Sequence, residues 1–489
     1  MVTIQAIPFY TVMCWYHKKN DPLKYRIAQI HLGQKLSLLL QFSGPTFIKL
    51  GQALSTRPDL IGEVLASSLA TLQDKLPPFP FSIVKRQIEL HFGNTVENTF
   101  DEFCPIPVAA ASIAQVHKAK LKTGEYVAVK ILRPNIEKQF SSDIEFFKLL
   151  IRLAQYCFGK SISRLNLEGV LQMLIDCIRF ELDLRYEAAA ADEISFNTKN
   201  DAFIRIPKVY WQLISKHVLT IEWIDGTPIT DCYTLLLQGH DLHKIAQNLT
   251  VTFFNQAFRD GFFHADLHPG NILIDEKGNI VLIDFGIIGQ LNRDDRIYVA
   301  EILYGFINRD YQRVADIHFK AGYVPDGKDI KLFTLACRAI GEPIIGLPAN
   351  KISAAQLLKQ LFEVTSQFEM PTQTQLLLLQ KTMITIEGIG QIIYPEVNMW
   401  QLADPWIKEW AHSNFSIKAK VKNTVNNISE LAQDLPKFCH EVRRVVQLTN
   451  AINLNKLRAP SLKRHKSHRY YAVAFLGGMI TIAVLKLLM

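Results

Sequence analysis

The sequence has no C-x-x-C pair. Its seven cysteines, at positions 14, 104, 157, 177, 232, 337 and 439, are scattered over 489 residues. That spacing fits neither a zinc site nor a disulfide framework, and a reducing compartment is the default. Internal repeats and low-complexity tracts are also missing. Residues 1–16 are mostly apolar, but no basic region precedes that run and no A-x-A-like cleavage site follows it. A secretory signal is therefore not expected; the segment is expected to pack on the body or on a membrane surface.

Acidic residues are scarce in one place. From Phe415 to Arg469 there are 12 Lys or Arg against three acids, Glu430, Asp434 and Glu441. That stretch nets 12 − 3 = +9 in a chain whose total is +8, so the rest is close to neutral. A basic stretch beside a neutral body points to an anionic surface, a membrane or a nucleic acid. Behind it, Tyr470–Leu485 is a continuous apolar run closed by Lys486. About 20 residues span a bilayer core, and this run reaches that length if Lys486 snorkels. Lys463, Arg464, Lys466 and Arg469 would hold that flank on the cytoplasmic side. A single membrane segment is expected over 470–489. The overall apolar share of 48% is high for a soluble enzyme but too low for a polytopic membrane protein.

Periodicity and breakers order the rest. Helix is expected over Leu23–Thr56, interrupted at Gly44-Pro45, and a rigid extended connector over Leu76–Pro80. Strands Val116–Leu121 and Glu125–Leu132 flank the turn Lys122-Thr123-Gly124. Ser142-x-x-Glu145 reads as a capping box opening a helix toward Tyr156. One long helix is expected over Asn166–Ser195, a buried strand over Val218–Glu222 and a helix over Leu242–Asp260. Two short strands, Ile272–Ile274 and Asn279–Ile283, are joined by Asp275–Gly278. Helix follows from Arg293 to about Asp434. Helices, a small β lobe, a hinge strand and a helical lobe, in that order, predict an α+β, two-lobed protein-kinase-like fold. The expected divisions are a helical extension over 1–100, the first lobe over 101–225 and the helical lobe over 226–434. A basic linker over 435–469 and the membrane segment follow.

Phosphoryl transfer asks a protein to position phosphates and neutralise developing charge. Lys130, in Val127-Ala128-Val129-Lys130, is a lysine on an apolar strand, which needs a partner; in a kinase-type cleft it pairs phosphates and a helix glutamate. His264-Ala265-Asp266-Leu267-His268-Pro269-Gly270-Asn271 has the aspartate-to-asparagine spacing of the kinase catalytic loop. Asp266 would accept the hydroxyl proton, and Asn271 would hold a metal. Asp284, in Asp284-Phe285-Gly286 one hairpin later, would bridge that metal to the phosphates. ATP and Mg2+ are the implied ligands. No G-x-G-x-x-G precedes Lys130. In its place stands Val108, Ala109, Ala110, Ala111, Ser112, Ile113, Ala114, Gln115 and Val116, where alanine restricts φ and fills space that glycine leaves open. His117 and Arg57, beside these motifs, are expected to make structural hydrogen bonds.

The alanine-rich loop, Lys49-Leu50-Gly51-Gln52, Glu181-Leu182-Asp183 and the His264–Asn271 loop together resemble the UbiB/ADCK family of atypical kinase-like proteins of ubiquinone biosynthesis, from about Leu32 to about Leu402. The resemblance implies that Lys49 and Gln52 belong to an extension that folds over the active site and blocks protein substrates. It implies that Glu181 and Asp183 contact that extension, that Glu187 pairs with Lys130, and that Glu222-Trp223-Ile224 is the hinge meeting adenine. His268 stands where protein kinases usually have lysine. On a straight helix Asp183 and Glu187 share a face, but Glu181 points away, so either the helix is irregular there or only some of these residues reach the cleft. No A-P-E follows Asp284, so an activation segment is not expected. The implied protein is a membrane-associated kinase-like ATPase of a bacterial inner membrane, because an Arg- and Ser-rich transit segment is lacking. Its expected partners are anionic lipid, isoprenoid quinone precursors and other enzymes of ubiquinone biosynthesis, with no nucleic acid. An active protein or small-molecule kinase and a catalytically silent scaffold are the alternatives.

Overall fold

The computed structural model of the protein describes residues 22–55, 61–69, 72, 76–158, 167–345, 364, 367–370, 373–395, 402 and 406. All of them fall in the first of two units, Met1–Ala411 and His412–Met489. Residues 1–16, Arg57, the basic stretch from Phe415 and the apolar run over 470–485 lie outside the described residues.

The chain opens with α1 (Pro22–Ser43) and α2 (Pro45–Ser55). They are separated by Gly44 at φ +112°, a conformation that favours glycine. Pro45 fills the first position of α2, where its missing N–H costs nothing. α3 (Glu63–Leu69) packs on both. Gly51 of α2 has no substitute here: a Cβ would stand 2.2 Å from Leu72 Cδ1 and 2.9 Å from Leu40 Cδ1. Residues 76–80 run without helix or ladder into α4 (Phe81–Phe92). Within that connector Phe79 is read twice by one side chain: Gln115 Oε1 accepts its N–H at 2.9 Å and Gln115 Nε2 donates to its carbonyl at 3.3 Å.

The first lobe is built on β1 (Phe100–Phe103), β2 (Ala109–Ala110), β3 (Ala114–Leu121) and β4 (Tyr126–Leu132). Gly124, at φ +93°, closes the β3–β4 turn. α5 (Ile136–Phe158) starts almost at once after β4. Ser142 is therefore inside this helix and opens nothing. Ile136, Phe140, Ile144, Phe147 and Ile151 keep helical spacing straight through it and face one apolar cluster. The expected single helix over 166–195 is two, α6 (Leu167–Glu181) and α7 (Leu184–Asn197). The break falls at Leu182-Asp183, where Asp183 leaves helical φ/ψ and its carboxylate caps the Arg185 N–H.

β5 (Ile204–Arg205) and β6 (Val218–Glu222) follow. β6 completes the first sheet, in the order β1-β3-β4-β6 with β2 on β3. Phe79, Val84 and Ile88 cover one face of it, packing with Phe100, Val127, Val129 and Val218.

The second lobe begins at β7 (Thr227–Pro228) and α8 (Leu242–Phe254). α8 runs into one π turn, Asn255–Asp260, ended by Gly261 at φ +73°. Asn255 accepts a bond of 2.6 Å from the Trp406 indole at that wide turn. β8 (Phe262–His264), β9 (Ile272–Ile274), β10 (Ile280–Leu282) and β11 (Ile288–Gln290) form two small sheets, β5-β10-β9-β7 and β11-β8. Four helices follow: α9 (Arg293–Ile307), α10 (Tyr311–Lys320), α11 (Ile330–Ile345) and α12 (Thr374–Ile393). The core of this lobe joins Phe253, Phe263, Ile272 and Leu282 to Leu379, Met383 and Ile386 of α12. Each such side chain, fully buried, stabilises by about 1.5–3 kcal/mol. Within α12, Gln375–Ile393 is the one segment among the described residues long and apolar enough to cross a membrane. Here it is a core helix, with its apolar side against the short strands.

Candidate active site

Lys130 sits in the middle of the first sheet, opposite Val116 of β3 and Leu219 of β6. Its ammonium reaches both Glu187 oxygens, at 2.7 and 2.9 Å, and Asp284 Oδ2 at 3.2 Å. The α6–α7 break makes this possible. α7 restarts at Leu184, so Glu187 lies in its first turn and is aimed by a new helix axis. Glu181, on the preceding helix, points elsewhere and pairs with Lys49 of α2 at 2.7 Å. Asp183 bonds Arg185 at 2.7 and 2.9 Å and serves as the helix cap. The three acids therefore have three separate roles: a link to the extension, a cap and the lysine's counter-ion. Gln52 lies one turn from Lys49, half-buried, and its carbonyl accepts the Ser55 hydroxyl at 2.6 Å.

The second lobe contributes through backbone registers. Leu282 lies opposite Ile272 in the β9–β10 hairpin, and the Ile283 N–H donates to the Asn271 carbonyl at 3.0 Å. Asn271 and Asp284 are thus held at the same end of one hairpin. The Asn271 amide donates to the Asp266 carbonyl at 3.1 Å, which leaves its side-chain oxygen for a ligand. Asp284 has φ +66°, rare for a non-glycine residue. His264 ties the two loops together: its Nδ1 accepts the Asp266 N–H at 3.1 Å, so its Nε2 donates to the Asp284 carbonyl at 2.6 Å. Burial pushes the His264 pKa down, which keeps the ring neutral as that bonding requires.

The charges are strongly coupled. Burial raises the Asp284 carboxyl, but Lys130 and the Gly286 N–H outweigh it and bring the group to about 2. Burial also pushes the Glu187 carboxyl up, with Lys130 opposing and Asp284 adding to the rise. For Lys130 burial alone would lower the value; Asp284 and Glu187 reverse it, and the ammonium stays charged. Asp284 and Asn271 are hard oxygen donors on one edge of the cleft, a set that suits Mg2+ together with phosphate oxygens.

The alanine-rich segment is a short hairpin. Ala109 and Ala110 pair with Val116 and Gln115, and the Ala111 N–H donates to the Ala114 carbonyl at 2.8 Å. Ser112 and Ile113, at its turn, are buried. Arg133, which no motif singles out, clamps the Ala111 carbonyl through Nε at 3.2 Å and Nη2 at 2.8 Å. It also donates to Pro77 of the connector at 2.9 Å. Val108 is exposed, and its N–H donates to the Val116 carbonyl at 2.8 Å.

At the hinge, Ile224 is buried. The Glu222 carboxylate is occupied by Arg205 and by the Lys208 N–H, and the Glu222 and Trp223 N–H groups donate to the Lys208 and Tyr126 carbonyls. His117 is structural as expected: Nδ1 donates to the Cys104 carbonyl and Nε2 accepts from Gln115, both at 2.8 Å.

One site residue was not anticipated. Lys381 of α12 places Nζ 3.0 Å from Asp266 Oδ1. Lys381 and Glu387 are the only charged residues in the run TQLLLLQKTMITIEGIGQII, which marks the lysine as unusual but does not report what it meets.

A sheet lysine, a helix glutamate and two hairpin-borne loops meeting at one cleft are the marks of a kinase-like protein of atypical type. Residues 71–318 match the description "ABC1 atypical kinase-like domain" and residues 337–398 match "UbiB helical domain". A Pseudomonas aeruginosa (strain LESB58) protein is 40% identical over 422 residues, spanning 84% of this chain and 79% of its own length. One from Histophilus somni (strain 129Pt) is 42% identical over 424 residues, spanning 85% and 78%. Both are named "Probable protein kinase UbiB". Among solved structures, Rv3197 of Mycobacterium tuberculosis, in complex with erythromycin, matches with a TM-score of 0.52. It is 25% identical, and the match covers 72% of this chain and 90% of that one. The chain belongs to the UbiB family of ABC1 atypical kinase-like proteins.

Proposed function

We propose that this chain is an ATP- and Mg2+-dependent kinase-like ATPase that supports ubiquinone biosynthesis at a membrane. The observation that carries the reading is Lys130 held between Glu187 and Asp284, beside the Asp266–Asn271 loop. A phosphate-handling site needs that lysine charged and fixed. Asp284 and Asn271 would hold Mg2+, which supplies a Lewis acid on the phosphate oxygens. Asp266 would take the proton of the attacking water as the γ-phosphorus–oxygen bond to ADP breaks. The alanine hairpin clamped by Arg133 and the tie of the N-terminal extension to α6 through Lys49–Glu181 support hydrolysis over transfer to a bulky protein, because a fixed loop and a fixed extension leave little room for a large acceptor. The basic stretch over 415–469 and the apolar run over 470–485 support attachment to anionic lipid at a bacterial inner membrane, from its cytoplasmic face. Isoprenoid quinone precursors and the enzymes that process them are the partners proposed there.

ATP turnover by wild type and Asp266→Asn, with and without cardiolipin liposomes and a quinone head-group mimic, tests this. The expected result is turnover that rises with liposomes and is lost in Asp266→Asn. The name those relatives carry, "Probable protein kinase UbiB", favours a second reading, transfer to protein. Efficient phosphorylation of a protein by wild type would establish that reading and displace ours.

A further inference from the structure

The catalytic loop lacks a cation of its own. Two residues beyond Asp266 stands His268, and its Nδ1 accepts the Gly270 N–H at 2.9 Å. That nitrogen caps its own turn. The cation at Asp266 instead arrives from 115 residues further on: Lys381 Nζ lies 3.0 Å from Asp266 Oδ1. Among the described residues it is the one basic side chain paired with that carboxylate.

A structural explanation of the pair is weak. Lys381 and Asp266 expose 37% and 33% of their side chains, and an ion pair so open to water adds little to stability. Lys381 is also the only basic residue of a mostly apolar helix. Its position is specific, however. Asp266 is the group that meets the attacking oxygen, so a cation 3.0 Å from it lies on the acceptor side of the phosphoryl group. In the proposed reaction Lys130, Asn271 and Asp284 serve the nucleotide side. Charge in phosphoryl transfer spreads over the equatorial oxygens and both apical ones, and the acceptor side would otherwise have no counter-charge.

We infer that Lys381 is a catalytic residue that binds the γ-phosphate of ATP, supplying from the helical domain the cation that the catalytic loop lacks. The inference rests on the phosphate-handling function proposed above. No covalent bond to Lys381 forms or breaks. The attacking oxygen of water bonds to phosphorus, its proton goes to Asp266, and the electron pair of the breaking P–O bond leaves with ADP. Lys381 donates N–H to a γ-oxygen throughout and keeps its own proton. Residues within 71–318 alone therefore carry an incomplete site, which α12 completes.

The test uses the full chain with Lys381→Met, which keeps the aliphatic stem. Three quantities are measured: ATP turnover, affinity for Mg2+ with β,γ-imido-ATP against Mg2+ with ADP, and thermal unfolding. Loss of one charge-assisted bond predicts a fall of about 10- to 100-fold in kcat and a weaker imido-ATP complex, with ADP affinity and melting unchanged. Unchanged turnover and imido-ATP affinity would overturn the inference. So would an equal loss for both nucleotides, which marks a merely structural role. If Lys381→Met does not fold, Lys381→Arg moves the charge while keeping it; a shifted ratio of imido-ATP to ADP affinity supports the inference and an unshifted ratio overturns it. A wild type that neither binds nor hydrolyses ATP would remove the proposed function itself. Wild-type turnover untouched by Lys381→Met would remove only this inference.

Discussion

Lys49 and Glu181 meet at 2.7 Å, each with 12% of its side chain exposed. Two charges so nearly buried attract one another strongly, and removing either loses that charge-assisted contact. Lys49→Met is expected to destabilise the protein by about 1.5–3 kcal/mol in urea unfolding. The double variant Lys49→Met with Glu181→Leu should recover most of that loss. A double variant no better than the single would show that the pair is not the tie between α2 and α6.

Gly51 predicts a contrast with Gly124. A methyl at Gly51 would sit 2.2 Å from Leu72 Cδ1, so Gly51→Ala is overpacking and should cost about 1–3 kcal/mol. Gly124→Ala meets nothing within 4 Å but must keep φ +93°, and should cost about 1 kcal/mol. Thermal unfolding of both variants ranks them. The reverse order would contradict the close packing of α2 on Leu72.

Glu187→Gln separates stability from binding. Burial already disfavours the Glu187 carboxylate, so removing its charge should not lower the melting temperature. Lys130 keeps Asp284 but loses its second anchor. Affinity for Mg2+ with ATP, read by calorimetry, is expected to fall by about tenfold or more. A variant that binds normally would show that Asp284 alone positions the lysine.

His318 makes the helical lobe sensitive to acid. Burial pushes it down to about 4, against the Val314 carbonyl that its Nδ1 bonds at 2.7 Å. Between that value and the ordinary one near 6.5 the unfolded chain binds a proton that the folded chain does not. Stability therefore falls as pH drops through this window, by about 3 kcal/mol from this group. In His318→Leu the slope of unfolding free energy against pH should flatten between pH 6.5 and 4. An unchanged slope would assign the acid sensitivity to other groups.

The lysine strand and the two loops were legible in the sequence because each is local. Lys130 stands on an apolar strand, and Asp266, Asn271 and Asp284 are fixed by short spacings and one hairpin. The helix break at Leu182-Asp183 was half legible: Glu181 and Glu187 cannot share a face on a straight helix, which left an irregular helix as one of two readings, but neither glycine nor proline marks the place and only the capping tendency of Asp183 records it. Ser142 misled because a capping pattern competes with apolar spacing, and Ile136, Phe140, Ile144 and Phe147 continue through it. Lys381 was out of reach for another reason. Its contact with Asp266 is made by the docking of α12 on the second-lobe core, which no local pattern reports.

The bond pair from Gln115 to Phe79 also sets where this protein can be cut. One amide satisfies both backbone groups of a connector residue, as a neighbouring strand would, and so stitches the segment before Phe81 to the edge of β3. Phe79, Val84 and Ile88 are then the lid of the sheet that carries Lys130. A fragment starting at Phe100 would expose that apolar face to water and aggregate. The smallest soluble piece of the first lobe therefore begins upstream of Phe79.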